Sequence, residues 1–285
     1  MKPAPFTRHV PKTLDEAVRM LADVAPQDGR ILAGGQSLVP IMAFRLAKPA
    51  HLVDINEVAG LDQLNVENGM LRIGALVRHA AFHRRVVDGP LGALLSAVAR
   101  HIAHYPIRTR GTFCGSIAHA DPSSEWCLVA ATLDATMIAR SVRGERAIAA
   151  RDFFEGLMST ALADDELLAE VRLPLLAADA HFGFQEFSRR AGDFAMTAAL
   201  VTWQFDNGAM DDVRVGLAGA EVSPRRIVEA ETALEGKAPN ETVFRGAAEA
   251  AANAIEPLED HQTTAEYRRD LVRAMVRRAL EQSAQ

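Results

Sequence analysis

Apolar residues recur at helical spacing near the start of the chain: Leu14, Ala17, Val18, Leu21 and Ala22 fall on one face. Thr13-Leu14-Asp15-Glu16 just before them is a capping box, with Thr13 as N-cap and Glu16 at N3. Pro26 to Gly29 ends this helix. Arg30 to Ala33 then reads as a short buried strand, broken by Gly34-Gly35. Leu38, Ile41, Met42 and Arg45 share a second helical face, and His51 to Ile55 is a second strand. Residues 10–56 thus spell helix, strand, glycine turn, helix, strand, which is a small α/β unit with a parallel pair.

The rhythm then changes. Met70 to Ala75 is a strand after the turn Glu67-Asn68-Gly69, and His79 to Val87 and Leu91 to His104 have helical patterns. Arg108 to Glu125 is a long, weakly periodic segment rich in Gly, Ser, Thr and Pro, and loops of this length inside a domain usually carry function. A helix follows from Ser123 or Ser124 to about Asp134. Ala135 to Ser141 and Glu145 to Ala149 flank Val142-Arg143-Gly144 as a hairpin, and Leu167 to Leu173 is a strand stopped by Pro174.

Leu175 to Ala180 reads as a linker. Beyond it, Phe182 to Arg189, Ala195 to Phe205 and Val213 to Ala218 form three antiparallel strands, with Asp206-Asn207-Gly208 as a hairpin turn. Ala195 to Phe205 is also compatible with a helix; the β-branched Thr197, Val201 and Thr202 tip it towards strand. The remainder is helical. Thr263-Thr264-Ala265-Glu266 is a further capping box, and the stripe Leu271, Val272, Met275, Val276, Ala279 and Leu280 lies opposite Arg269, Arg273 and Arg277, a solvated basic face.

Composition narrows the function classes. The 285 residues suit about two domains. With 31 Lys plus Arg against 37 Asp plus Glu, the net charge of −6 argues against nucleic acid as a partner. No apolar run approaches the roughly 18 residues of a membrane span, and the first residues lack the apolar core of a secretory signal. Two cysteines, Cys114 and Cys127, make neither a disulfide framework nor the four-thiolate set of an iron–sulfur cluster. A reduced, cytoplasmic protein is expected. Any redox carrier is then organic or sits on another chain.

Two glycine turns carry the candidate chemistry. In Leu32-Ala33-Gly34-Gly35-Gln36-Ser37-Leu38 a strand runs through Gly-Gly into a helix start, where free N–H groups favour a phosphate. It is neither a Walker loop nor a GxGxxG fingerprint, and a plain turn is the competing reading. The second turn, Arg110 to Glu125, joins glycines and hydroxyls to the carboxylates Asp121 and Glu125. Such a surface wraps a diphosphate and a polyol chain with backbone donors and hydroxyls. Asp121 or Ser123 capping the next helix is the alternative. His101 and His104 lie three apart without a third metal ligand of convincing spacing. Ser116, His119 and Asp121 are the residue types of a hydrolytic triad, crowded within six residues and without a nucleophile elbow. Cys114 is either a packing thiol or one that contacts a redox cofactor.

Ala33 to Leu38, then Gly111 to Glu125, then Asp165 to Pro174 and Phe184 to Ala195 resemble, in order and spacing, four blocks of the flavoprotein (medium) subunits of the molybdenum hydroxylase family, of the carbon monoxide dehydrogenase and xanthine dehydrogenase type. The resemblance covers nearly the whole chain. It implies an α+β fold with two α/β subdomains forming an FAD-binding region (1–176, with subdomains of about 1–57 and 58–176). A C-terminal domain of a three-stranded antiparallel sheet and helices follows (177–285). It implies FAD on this chain, with the molybdenum cofactor on a large subunit and two [2Fe–2S] clusters on a small one. Electrons would pass through FAD to NAD, a quinone or oxygen. By position, Ala33, Gly34, Gly35, Gln36 and Ser37, flanked by Leu32 and Leu38, would cradle the FAD diphosphate. Gly111, Thr112, Cys114, Gly115, Ser116, Ala118, His119 and Asp121 would continue that site. Glu125 would bind ribityl or ribose hydroxyls, Leu168 would lie against the isoalloxazine, and Ile102 would lie near it. Glu186, or Gln185, falls where many relatives have a Lys near the flavin, and Phe113-Cys114 stands where the family usually has Ile-Gly. The resemblance implies no catalytic acid–base set on this chain. A self-contained flavin oxidoreductase of the vanillyl-alcohol-oxidase-like fold and a non-catalytic FAD-binding protein are the rival readings.

Overall fold

The structure is a computed structural model that describes residues 2–261 and 263–285. Its first unit is β1 (Thr7–His9), α1 (Leu14–Val24), β2 (Gly29–Leu32), α2 (Leu38–Ala43) and β3 (His51–Asp54), with the three strands parallel in the order β1-β3-β2. The expected capping box forms: the Thr13 hydroxyl accepts from the Glu16 N–H at 3.2 Å while the Glu16 carboxylate accepts from the Thr13 N–H at 3.3 Å. Ala17, Val18, Leu21 and Val24 are the buried face of α1. The parallel pair gains β1 as a third strand, three residues too short to show a pattern.

The second unit holds β4 (Leu64–Glu67), β5 (Met70–Gly74), α3 (Pro90–Val98), α4 (Tyr105–Arg108), α5 (Phe113–His119), α6 (Glu125–Thr132), β6 (Thr136–Ser141), β7 (Gly144–Ala149), β8 (Phe154–Gly156), β9 (Ser159–Thr160) and β10 (Leu167–Pro174). Five strands make one antiparallel sheet, β4-β5-β10-β6-β7, and β8-β9 is a separate ribbon. Asn68 and Gly69 both take positive φ, the two-residue turn that lets β4 pair with β5. Two helical expectations shorten. His79–His83 is a 3-10 turn, and the helix begun at Pro90 ends at Val98, beyond which Ala103 takes positive φ. The segment expected as loop holds α5, because the Thr112 hydroxyl accepts from the Gly115 N–H at 3.0 Å and so caps a helix start.

The C-terminal unit is β11 (His181–Phe187), β12 (Thr197–Asp206), β13 (Ala209–Ala218), β14 (Arg225–Arg226), α7 (Val228–Leu234), α8 (Glu241–Ala254) and α9 (Ala265–Ser283). The stretch open to helix or strand is strand β12, and Asn207-Gly208 turns it into β13. The sheet has four strands, β11-β12-β13-β14, and not the expected three. Two arginines carry no strand pattern; β14 is fixed instead by its ion pairs, Arg226 with Glu231 and Asp134, and Arg225 with Glu221. The last helix is capped by Thr264, one residue later than the capping box implied, and the Thr263 hydroxyl instead bonds Asp260 and Arg268. On the basic face, Arg273 pairs with Glu249 and Asp270, and Arg277 with Glu281.

Two cores result. One lies between the five-stranded sheet and α1, α3, α5 and α6; the other lies between the C-terminal sheet and α7, α8 and α9. Helix α6 joins them. Every residue from Glu125 to Thr132 is buried, as expected of a helix apolar all round. Its fit to β13 is close: a Cβ on Gly216 would meet the Thr132 hydroxyl at 1.8 Å. Among the described residues no helix is long and apolar enough to cross a membrane.

Candidate functional site

The two glycine turns meet. A Cβ on Gly34 would lie 2.3 Å from the Arg110 carbonyl oxygen and 2.7 Å from the Gly111 Cα, so only glycine allows this approach. Between them opens a cavity of about 490 Å³. Leu32 to Leu38 form one wall; Gly111, Thr112, Gly115, Ser116, Ala118 and His119 form the second. A third wall, Met158 to Thr160 with Leu162 to Asp164 and Glu166, comes from the β8–β9 ribbon and the chain after it. Among the described residues, the N–H groups of Gly34, Gly35, Gln36 and Ser37 donate to no protein group. A run of unengaged backbone donors beside a glycine-lined cleft suits a diphosphate without cationic side chains. The 490 Å³ is within the usual range for ligand sites. The residues present therefore fit a bound dinucleotide.

The two walls are held together from behind. The Asn56 amide donates to the Ala33 carbonyl at 2.7 Å and to Asp54 at 2.6 Å. Arg78 donates to the Asn56 Oδ1 at 2.7 Å and also to the Arg110 carbonyl. One chain of bonds thus ties the residue before Gly34 to the residue before Gly111, and Arg8 anchors it through Asp54.

The remaining candidates lie outside these walls. The Cys114 thiol is buried and donates to the Ile73 carbonyl at 3.3 Å, in the core and not in the cavity. A thiol contact to a cofactor, left open by the sequence, is therefore corrected: α5 begins at Phe113 and turns residue 114 inward. Burial pushes its pKa up, and pushes that of Cys127 to about 12. Neither thiol is expected to react with Ellman's reagent in the native chain, and two equivalents are expected after denaturation, read as thionitrobenzoate absorbance. Prompt native labelling would contradict the burial.

Asp121 forms a turn, its Oδ1 accepting from the Ser123 N–H at 2.9 Å, while Ser124 is the N-cap of α6. The Ser116 hydroxyl pairs with Ser124 at 2.9 Å and not with His119, so no hydrolytic triad assembles. Ile102 and Leu168 are buried in the larger core. Glu125, first residue of α6, and Glu186, on β11, are carboxyls with buried side chains. Burial, with Asp121 nearby, lifts Glu125 to about 7; burial, with Glu125 nearby, lifts Glu186 to about 8. His101 Nδ1 stands 3.8 Å from the Glu186 Oε2, its ring edge-on to Phe184, while His104 packs against Gly192. The two histidines thus serve different neighbours, and no group of three potential metal ligands occurs among the described residues.

The sequence reading missed Asn56, Arg78, His79 and the third wall. Only the segment Asp165 to Pro174, through the resemblance, pointed near that wall; nothing local marks Met158 or Asn56.

Comparison with known proteins agrees with this geometry. The model of the FAD binding domain in molybdopterin dehydrogenase matches residues 4–176, and that of the CO dehydrogenase flavoprotein C-terminal domain matches residues 182–283. The chain is 36% identical to the nicotine 6-hydroxylase medium subunit of Paenarthrobacter nicotinovorans over 274 residues, 95% of this chain and 94% of that subunit. It superposes with TM-score 0.95 and 33% identity on a chain of carbon monoxide dehydrogenase from Hydrogenophaga pseudoflava, covering 100% of this chain and 99% of that one. With a chain of quinoline 2-oxidoreductase from Pseudomonas putida 86 the TM-score is 0.92 and the identity 36%, over 100% and 99% of the two chains. The chain belongs to the molybdenum hydroxylase family as an FAD-binding medium subunit of the carbon monoxide dehydrogenase and xanthine dehydrogenase type.

Proposed function

We propose that this chain receives electrons from the [2Fe–2S] clusters of a small partner subunit and delivers them to an external acceptor, NAD, a quinone or oxygen, while substrate is oxidised on a molybdopterin large subunit, in the cytoplasm. Bound FAD supplies the redox chemistry, exchanging electrons singly with clusters and in pairs with an acceptor. The chain's residues do the rest. Gly34, Gly35, Gln36 and Ser37 offer backbone donors to the diphosphate, and Thr112, Gly115 and Ser116 close the opposite side. Glu125 is the acceptor for sugar hydroxyls, and Ile102 and Leu168 supply apolar surface. The Asn56–Arg78 bridge keeps the two walls at a fixed spacing.

The observation that carries this reading is the contact of Gly34 with Arg110 and Gly111 across 76 positions of chain, around unengaged donors. The related subunits belong to enzymes named for nicotine, carbon monoxide and quinoline, chemically unlike molecules. So similar a chain serving all three supports a substrate choice made on another subunit. The full chain, expressed alone, is expected to be yellow and to release FAD on denaturation. Co-purified with its partners, it is expected to pass electrons from their substrate to one acceptor class. A chain that neither carries FAD nor takes it up on addition would overturn the proposal.

A further inference from the structure

His79 lines the cavity beside the second glycine turn. Its ring is buried, 5% exposed, and its backbone N–H donates to the Gly111 carbonyl at 3.0 Å. The buried indole N–H of Trp126 lies 2.9 Å from His79 Nδ1. An indole nitrogen only donates, so Nδ1 accepts, and a neutral imidazole must then carry its proton on Nε2. Trp126 cannot easily turn away, because Phe82 and Phe113 pack on it with ring centroids at 5.1 and 4.7 Å. The ring stays uncharged. Burial, helped by Arg78 and Arg108, lowers its pKa to about 4. Trp126, Phe82 and Phe113 add no charge on the other sides, and Arg110 is the remaining cation of the adjoining turn.

The proton-bearing edge faces Gly111: a Cβ there would come within 2.6 Å of Nε2. No acceptor among the described residues meets Nε2, and His79 lines the cavity, so this donor is left for a ligand there. Beside it lie Thr112 and the open backbone donors of the first turn. We propose that the Nε2–H of His79 is a fixed, uncharged hydrogen-bond donor to the FAD diphosphate, held in that tautomer by Trp126. The proposal rests on the diphosphate occupying this cavity. It makes residue 79 a binding residue and Trp126 a positioning residue that acts through it.

The test uses the full chain, FAD as ligand and three readouts: affinity, the 31P resonances of bound FAD, and 15N-histidine spectra. In the unliganded chain the His79 proton is expected on Nε2, and its resonance is expected to move when FAD binds. His79→Gln, whose amide N–H reaches towards the Nε2 position, is expected to keep affinity within about threefold. His79→Phe is expected to lose about tenfold to hundredfold, roughly 1.4–2.7 kcal/mol, and to shift one phosphorus resonance. Trp126→Phe keeps the imidazole but frees its tautomer, so a mixed Nδ1–H and Nε2–H population and intermediate affinity are expected; it decides the question should His79→Phe fail to fold. An Nδ1–H tautomer in the wild type, or unchanged phosphorus resonances and affinity in His79→Phe, overturns the proposal. Gly34→Ala separates the two claims. If it too leaves FAD bound, the cavity is not the diphosphate site; if it abolishes binding while His79→Phe does not, only the role of His79 falls.

Discussion

Gly34→Ala is expected to leave the chain folded and nearly free of FAD. The added Cβ would stand 2.3 Å from the Arg110 carbonyl oxygen and 2.7 Å from the Gly111 Cα, both backbone atoms. No rotamer relieves such an overlap, so the two turns must part by roughly 1 Å to reach ordinary contact distance. Hydrogen bonds of 2.7–3.2 Å to phosphate do not survive that displacement on both sides at once. A loss of at least about hundredfold in affinity, ~2.7 kcal/mol, follows. The fold persists because Gly34 belongs to neither core. Gly35→Ala is the informative control. Its φ of +70° strains any side chain, by about 1 kcal/mol, yet its nearest neighbours are side-chain methyls of Leu32 and Val39 at 3.2 Å and not backbone. It should bind FAD several-fold more weakly than wild type and far better than Gly34→Ala. Quenching of FAD fluorescence on titration gives all three constants. A Gly34→Ala chain that holds FAD like the wild type would mean that the two turns do not share the ligand.

That contact marks the limit of what the chain discloses locally. Short-range signals translate well. The Thr13–Glu16 box, the Asn68-Gly69 and Asn207-Gly208 turns, and the β-branched residues of β12 each act through neighbours a few positions away, and each appears as read. The misses share the opposite property. The β14 strand is tied through Arg226 to Asp134, 92 positions back; the Asn56–Arg78 bridge spans 22 positions; Trp126 selects a tautomer 47 positions back. No periodicity encodes such partners. Helix α5 was lost for a different reason, since Thr112, Gly115 and Ser116 look like loop residues until the Thr112 cap is seen. The meeting of the two glycine turns was legible only through the family resemblance, and the cavity shows the physical ground for it. Cys114 shows the converse: its place in the glycine loop left a cofactor contact open beside a packing role, and the helix start directs its sulfur to Ile73.

Glu186→Gln is expected to abolish a steady loss of stability between about pH 5 and 8. The Glu186 side chain is only 4% exposed and its Oε2 finds no hydrogen-bond partner among the described residues. His101 stands 3.8 Å away but is no counter-ion, because burial lowers its own pKa and leaves it neutral at pH 7. Burial first, then the charge of Glu125, raises Glu186 from 4.5 to about 8. Between those values the folded chain holds a proton that the unfolded chain has released, so stability falls as pH rises. The contribution is whole below about pH 4.5 and is lost as pH climbs through 8. The full window corresponds to about 5 kcal/mol, which coupling to Glu125 and local relaxation reduce to roughly 3. Glu125, raised to about 7, adds a smaller slope of the same sign. His79 acts oppositely: with its pKa near 4 against 6.5 unfolded, it removes stability as pH falls through that interval. Between about pH 4.5 and 6.5 the two acids outweigh His79, so these three groups place the greatest stability of the unliganded chain near pH 4.5, with acid and alkaline limbs of separate origin. Glutamine keeps the shape of Glu186 without its charge, so the variant should match the wild type at pH 5, exceed it by roughly 3 kcal/mol at pH 8.5, and leave the acid limb untouched. Urea unfolding across pH 5–9 reads the difference directly. Parallel curves for wild type and variant would show that Glu186 ionises at its ordinary pH, and that β11 and α6 leave a path for water between the two acids.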